Sequence, residues 1–481
     1  MIPTKAFAYF IAVPLLGLVG CATTSLQSDA REVRALLTDR APAKVELPVP
    51  SETASWDEVD RDVGRLLAKP LTADDAVRVA LLENRDLRAN LFELGVWRGR
   101  AIQAGLLPNP EIDIDVRKSR HSADPLQMDV GLEYDISRLI LTPSRRGVAE
   151  SALAAERIRA AGDVLELAYR VRVAFFEAQG RKQQLDLRRR ALESFQAGFA
   201  TADELGRTGN IPEVDVANQR AQVEAARVAV AEAENAWLDA KAQLIAILGV
   251  TTQPEAATLD LAGPLELPEG ELPARLRNES TAVETSLELA ELKKRMETAS
   301  RSVGVAKTEG ALPHLSGGFH AERDERLWEI GGHLTIGIPI FDRAQGRQHS
   351  ARAEFASLRE RYVAAANAVR ATHRVALTRV ESTTRRARHY RDQVIPAREK
   401  ALQAAVRQYN AMQTSVFQLL QVQREVTNAA SSYVDTLVEL WKARAALDTL
   451  ASGRQRGLAL AGAGSTTAMR NGGGAVEGDG H

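Results

Sequence analysis

Glu111-Ile112-Asp113-Ile114-Asp115-Val116-Arg117 and, after a short gap, Met128-Asp129-Val130-Gly131-Leu132-Glu133-Tyr134-Asp135-Ile136 decide how this chain is built. Both stretches alternate between apolar and polar residues, the period of a β-strand with two unlike faces. One face collects Ile112, Ile114, Val116, Met128, Val130, Leu132, Tyr134 and Ile136. The other collects Asp113, Asp115, Asp129, Glu133 and Asp135, so it is unusually acidic. Upstream, Thr72 can cap a helix, with Asp75 in place of the Glu of a capping box and Leu71 as a hydrophobic staple. That helix is predicted to run to about Leu106 and to stop at Leu107-Pro108-Asn109-Pro110. Downstream, Gly147 to Arg207 holds no proline and is dense in Ala, Leu, Glu and Arg. Such a run predicts a rod of about 90 Å. It breaks at Gly206 to Pro212, and a second helix follows to about Leu248, ended by Gly249.

The same order then repeats. After a Pro-rich stretch from Thr251 to Pro273 and a helix from about Ser280 to Thr308, Leu315 to Ala321 and Trp328 to Ile340 read as strands. A long helical run from about Gly346 to Val394 follows, with a kink expected at Pro396. Helix resumes to about Tyr409, and a last one ends near Leu450. Leu107-Pro108 returns as Leu312-Pro313, 205 residues on; Gln219-Arg220 returns as Gln423-Arg424 and Trp237 as Trp441, each 204 residues on. Three landmarks in one order at offsets of 204 to 205 residues mark an internal duplication.

The chain has 481 residues, with 62 Lys+Arg against 63 Asp+Glu, a formal net charge of -1. That balance argues against nucleic-acid binding. The single cysteine excludes an intrachain disulfide and any Cys-based zinc site. No internal stretch is apolar enough for a membrane-spanning helix. The start differs: Lys5, an apolar run from Ala6 to Val19, and Gly20 before Cys21 fit a signal segment over 1–20 that ends in a lipobox. Cys21 is then the expected site of a covalent lipid, the only attached group expected; no cofactor is. Residues 21–70 read as a lipidated arm with one short helix at most, 71–260 as the first repeat, 261–450 as the second, and 451–481 as a Gly-rich disordered tail.

Four strands per chain cannot close a barrel, and an open sheet edge is not tolerated in lipid. Several chains must therefore share one barrel if the apolar faces meet lipid. The long helices must likewise pack side by side as coiled coil. The expected fold class is mainly α with a small β part: long helices packed side by side as coiled coil, plus four strands per chain contributed to a shared barrel.

The residues that carry a family resemblance are Leu106 to Pro110 before the first strand and Gly337-Ile338-Pro339-Ile340-Phe341-Asp342-Arg343 after the last. Gly209-Asn210-Ile211-Pro212-Glu213-Val214-Asp215 at one turn and Ser415-Val416-Phe417-Gln418 at its repeat partner add to them. From about Leu71 to Leu450 the chain resembles outer-membrane efflux channels of the TolC-like family, in the lipoprotein branch. The Ile-Pro-Ile-Phe-Asp-Arg form is similar to that of heavy-metal cation efflux components. The resemblance implies a homotrimer in the bacterial outer membrane, with a twelve-stranded barrel and a periplasmic tunnel. It implies docking to a periplasmic adaptor (a membrane fusion protein) and an inner-membrane pump of the RND type.

Within that frame Asp113, Asp115, Asp129, Glu133 and Asp135 are expected to face the lumen and favour cations. Gly209, Asn210, Ile211, Glu213, Asp215, Ser415, Val416 and Phe417 are the expected adaptor contacts at the periplasmic tips. The second tip offers Gln413 and Gln418 but no acid, which argues against an acidic gate there. Trp237 and Trp441 read as packing residues, and Trp328 and Tyr134 as interfacial anchors. His314, His320 and His333 lie in or near the second pair of strands, but alternation does not bring all three together, so no metal site is expected. No nucleophile, zinc-protease or phosphate-loop motif is present. The competing class is a periplasmic coiled-coil adaptor or scaffold without a pore. An adaptor, however, has one hairpin between β-domains, where this chain has two equivalent units. An enzyme with a coiled-coil domain would need an α/β region for which there is no room.

Overall fold

The computed structural model describes residues 26–38, 40, 56–118, 127–250, 259–312, 314–324 and 327–458. Residues 1–20, Cys21 and the tail from 459 onward lie outside them. Among the described residues α1 (Leu26–Leu37) and α2 (Trp56–Leu67) precede α3 (Ala73–Glu83), α4 (Arg85–Gly105), β1 (Glu111–Arg117), β2 (Gln127–Asp135), α5 (Ile136–Arg207) and α6 (Glu213–Leu248). The second half runs α7 (Ala274–Arg277), α8 (Glu279–Thr285), α9 (Leu287–Ala311), β3 (Leu315–Asp324), β4 (Leu327–Ile336) and α10 (Gln345–His389). A π-helical turn at Tyr390–Val394 leads to α11 (Ile395–Asn410) and α12 (Val416–Ala451).

The axis of the molecule is α5, which spans 72 residues. At the usual α-helical rise of about 1.5 Å per residue its length is about 108 Å. Its first half packs on α4 and α9 and its second half on α6 and α12. The four strands form one antiparallel sheet in the order β1-β2-β3-β4, so the β2-β3 contact joins the two repeats. This sheet stands at one end of α5. At the other end Phe195 and Val223 meet Leu420, which places the α5–α6 and α11–α12 turns side by side.

The main apolar core lies at mid-length. Ile158 to Ala178 of α5 pack there with Leu244 and Leu248 of α6, Leu437 to Ala451 of α12, and the α3 helix. Towards both ends the core thins to clusters of three buried residues. Long helices in two-helix contact leave faces uncovered, and more helices are needed to bury them.

Several sequence expectations need correction. The helix expected from Thr72 to Leu106 is two helices. Asn84 leaves the helical region, caps α4 by accepting from Leu87 N (2.9 Å), and donates to the Ile247 carbonyl at the end of α6 (3.0 Å). Gly249 explains the close approach: a Cβ there, at φ +82°, would stand 2.9 Å from the Glu83 carbonyl oxygen. The second repeat does the same. Ser286 caps α9, Leu287 N donates to Gly453 O (2.8 Å), and Gly453 also has positive φ. The α5 rod starts at Ile136 and not near Gly147. Asp135 accepts from Arg138 N (2.8 Å) and turns strand directly into helix, with Pro143 accommodated inside.

β4 ends at Ile336 and not at Ile340: Gly337 N still donates to His314 O (2.9 Å) one step further along the same register, and the ladder stops there. Pro339, beyond it, cannot donate to a ladder. The 21–70 arm carries two helices, whose Val33, Leu37, Val63 and Leu67 belong to the main core. Asp29, fully buried, binds Arg98 (2.5 Å) and Arg157 (2.6 Å). The tail expected from 451 is folded as far as Leu458. Arg454, 4% exposed, is held by Glu166 (2.6 Å) and Asp163 (3.0 Å) with Glu288 beside it at 3.8 Å. Composition alone hid this, because the Gly-rich part begins later.

Candidate functional site: a two-faced sheet and two helical tips

Register settles which residues share a face. Residues directly paired across an antiparallel ladder lie on the same side. Ile112–Leu132–Phe319 and Ile114–Val130–Ala321–Ile330 run across one side of the sheet, with Tyr134, Leu334, Ile336 and Trp328. Phe319 is 69% exposed and Ile330 72%. So broad an apolar surface is a mark of contact with lipid or partner. Among the described residues the outer edges of β1 and β4 have no strand beside them. Trp328 sits at the far end, opposite Arg323. An interfacial aromatic ring belongs at such an end.

The opposite side is polar. It carries Asp113, Asp115, Asp129 and Glu133 and also Glu111, Glu322 and Glu329. One row crosses all four strands as Asp115–Asp129–Glu322–Glu329. Like charges directly opposite destabilise a sheet, so this row does not serve its stability. Arg117 lies 3.4 Å from Asp115, and Asp129 Oδ1 is buried with no protein hydrogen bond. Asp135 differs from its expected role: its carboxylate accepts from Ser137 Oγ (2.6 Å) and Arg138 N and serves as the α5 cap. Glu322 and Glu329 were legible by parity in β3 and β4, but the isoleucines on the other face of that hairpin are the stronger signal. His320 and His333 also lie on this side.

At the first tip α5 ends through backbone bonds from Gly209 N to Gly206 O (3.0 Å) and from Asn210 N to Leu205 O (2.9 Å). Gly209 takes φ +74° there, the left-handed turn that commonly ends a helix. Pro212 starts α6, and Glu213 and Asp215 fall in its first turn. Carboxylates suit the helix dipole at that end. Asp203 and Glu204 are engaged by Arg207 at 2.6 and 3.6 Å, and the hydrogen bond to Asp203 raises the guanidinium pKa further. At the second tip Ser415 caps α12 by accepting from Gln418 N (3.4 Å), and Met412 takes φ +59°. Met412 is 95% exposed, with Val214 and Phe417 also open. Sequence does not single out Met412, and it gives Val214 only within the Gly209–Asp215 stretch; an apolar residue in the turn or in the first turn of the next helix is the signal that finds them. Ile211, Val416 and the rest of the expected contacts lie in or beside these two turns.

Trp441 packs on Phe176 with ring centroids 5.1 Å apart, and its Nε1 donates to Glu266 O (2.9 Å). Trp237 packs on the same core. No helix among the described residues is long and apolar enough to cross a membrane.

Comparison with known proteins agrees with this architecture. Residues 76–250, the first repeat, match the model of the family described as outer membrane efflux protein. The chain is 26% identical over 401 residues to the cobalt-zinc-cadmium resistance protein CzcC of Cupriavidus metallidurans, covering 80% of this chain and 91% of that one. It is 24% identical over 383 residues to the pyoverdine export outer membrane protein OpmQ of Pseudomonas putida, covering 74% and 80%. The crystal structure of the Campylobacter jejuni CmeC outer membrane channel superposes with a TM-score of 0.67 at 16% identity, covering 85% of this chain and 91% of that one. Over residues 76–250 the chain is therefore similar to the outer membrane efflux protein family, and its fold is that of the solved TolC-like outer-membrane channels.

Proposed function

We propose that three copies of this chain close a twelve-stranded barrel and form the outer-membrane exit duct of a tripartite efflux system. Its favoured cargo is divalent metal cations. The observation that carries this reading is the sheet: apolar on one face, acidic on the other, and open at both edges. Edge-to-edge closure of β4 on the next chain's β1 satisfies the backbone, puts the apolar face in lipid and turns the carboxylates inward. Asp113, Asp115, Asp129 and Glu133, with Glu111, Glu322 and Glu329, then line a lumen of negative potential. The cation preference is supported by that sign of charge and by the similarity to CzcC. The duct itself performs no chemistry; energy comes from an inner-membrane pump of the RND type through a periplasmic adaptor. The adaptor meets the tips, where Met412, Phe417 and Val214 offer apolar contact. Cys21 carries the lipid anchor, and Cys21→Ser should remove the lipid mass from the mature protein.

The test is conductance of the full-length protein in a planar bilayer under a salt gradient. Discrete steps with cation-selective reversal potential are expected, and Asp129→Asn with Glu133→Gln should lower the selectivity. Clean monomers that never insert would sink the duct.

A further inference from the structure

The polar face of the second hairpin carries a paired motif that the acidic lumen does not account for. β3 contains Gly318-Phe319-His320, and β4 contains Gly331-Gly332-His333. The register sets Gly318 opposite His333 and His320 opposite Gly331. Each imidazole therefore lies over the other strand's glycine. A Cβ on Gly331 would stand 2.7 Å from His320 Cε1, and one on Gly318 would stand 2.8 Å from His333 Cε1. Glycine at both places leaves room for the rings over the opposite strand, and at Gly318 the Leu132 carbonyl oxygen bars a Cβ as well. They meet there with centroids 6.0 Å apart and planes inclined by 42°.

The surroundings are mostly of one kind. On the same face Asp113 and Glu133 flank the pair from β1 and β2, and Glu322 and Glu329 lie one register step away. Arg117, the cation of this face among the described residues, stands beyond them against Asp115. Two imidazoles that share one metal ion at about 2.0–2.1 Å per nitrogen have ring centres about 5–6 Å apart. Neutral imidazole suits Zn²⁺, Ni²⁺, Co²⁺ and Cu²⁺, whereas Mg²⁺ and Ca²⁺ take oxygen ligands. Among the described residues no three His, Cys, Asp or Glu side chains converge on one point. Two protein ligands and water make a weak site, and a conduit needs sites that release what they bind.

We infer that His320 and His333 form a binding station for a borderline divalent transition-metal ion, one per chain, with water completing the coordination and the neighbouring carboxylates raising the local cation concentration. The inference rests on the reading of this face as the lumen of a cation duct, and it names which cations the lumen holds back on their way out.

Zn²⁺ titrated calorimetrically into the full-length protein in lipid nanodiscs, with Mg²⁺ in excess, tests it. One Zn²⁺ per chain is expected. His320→Gln and His333→Gln should each weaken binding by about tenfold or more, and the double variant should do no worse than either. Gly331→Ala, which keeps both histidines but fills the cradle, should weaken it as well. Unchanged Zn²⁺ affinity in the double variant would overturn the inference, as would equal competition by Mg²⁺. K⁺ current through the same variants separates the two readings. Variants that still conduct K⁺ are folded and inserted, so K⁺ current with no His-dependent Zn²⁺ binding overturns the station and leaves the duct standing. His-dependent binding in a protein that passes no K⁺ supports the station and overturns the duct.

Discussion

The two repeats build the same outline from different local chemistry. In the first, α5 runs unbroken for 72 residues; in the second, the equivalent rod is α10, a π-helical turn and α11, with Pro396 just beyond the turn. Pro396 has no N–H to give, and the π turn absorbs the mismatch without ending the rod. Both repeats lock lower helix to upper helix with a left-handed glycine, Gly249 in one and Gly453 in the other. The first lock is finished by backbone and amide bonds from Asn84, the second by a buried guanidinium, Arg454, among three carboxylates. The strands diverge as well: aspartates dominate the first hairpin, and the paired histidines belong to the second. The outline is thus held by helix length and junction geometry, and the residues that fill each junction are free to differ.

Breaking each lock should expose that difference. The largest effect is expected from Arg454→Met, which leaves Glu166 and Glu288 without that cation and Asp163 with only Arg159, 3.9 Å away. That loss should cost about 3–5 kcal/mol. Burial pushes the Asp163 carboxyl above its ordinary range, and the Arg454 guanidinium is the main group that draws it back down. Urea unfolding of the detergent-solubilised protein measures the loss, and Asn84→Ala, expected at about 1–2 kcal/mol, is the matched change in the first repeat. Equal losses would show that the two junctions bear the same load.

Next come the glycines. An added Cβ at Gly453 overlaps the Thr285 carbonyl oxygen outright, whereas at Gly249 it stops 2.9 Å from the Glu83 oxygen. Gly453→Ala should therefore destabilise more than Gly249→Ala, both by more than the roughly 1 kcal/mol cost of a left-handed alanine. The reverse ranking would place the tighter junction in the first repeat.

At the tips the comparison inverts. Gly209→Ala should loosen the first turn by about 1 kcal/mol, while Met412→Gly should tighten the second by a similar amount. The reason is that Met412 already holds positive φ. Amide hydrogen exchange across 203–215 and 409–420 reads both.

The smallest effect concerns pH. The hydrogen bond from Lys182 holds the Asp260 carboxyl below its ordinary 3.8. A depressed carboxylate contributes stability above its unfolded value and loses it as pH falls through the folded one. Asp260→Asn should cost under about 1 kcal/mol at pH 7, since the pair is exposed. The gap from the parent should vanish once the pH drops below 3.8 and through the depressed value. A gap that persists there would mean that Asp260 acts through its hydrogen bond to Leu261 N and not through charge.

Much of this was legible in the order of residues because its signals are periodic. Strict alternation located β1 and β2, a proline-free run located α5, and an offset of 204 to 205 residues exposed the duplication. The break at Asn84 was not legible, since Asn inside an apolar helical pattern carries no sign of the Ile247 carbonyl that draws it out. The folded segment around Arg454 was missed because its three carboxylates lie more than 160 residues away along the chain. The candidate site divided in the same way. Parity assigned each carboxylate to a face, but the fate of Asp135 depended on what began immediately after it.

The sequence by itself determined the elements, their duplication and the two unlike faces of each strand, because these follow from side-chain period and from where proline and glycine stand. Only the tertiary structure decided that the two hairpins share one sheet, that four carboxylates fall in one row, and that His320 and His333 rest on each other's facing glycines. Those are matters of register between strands some two hundred residues apart, and register is set by the packing of the long helices that bring β2 to β3.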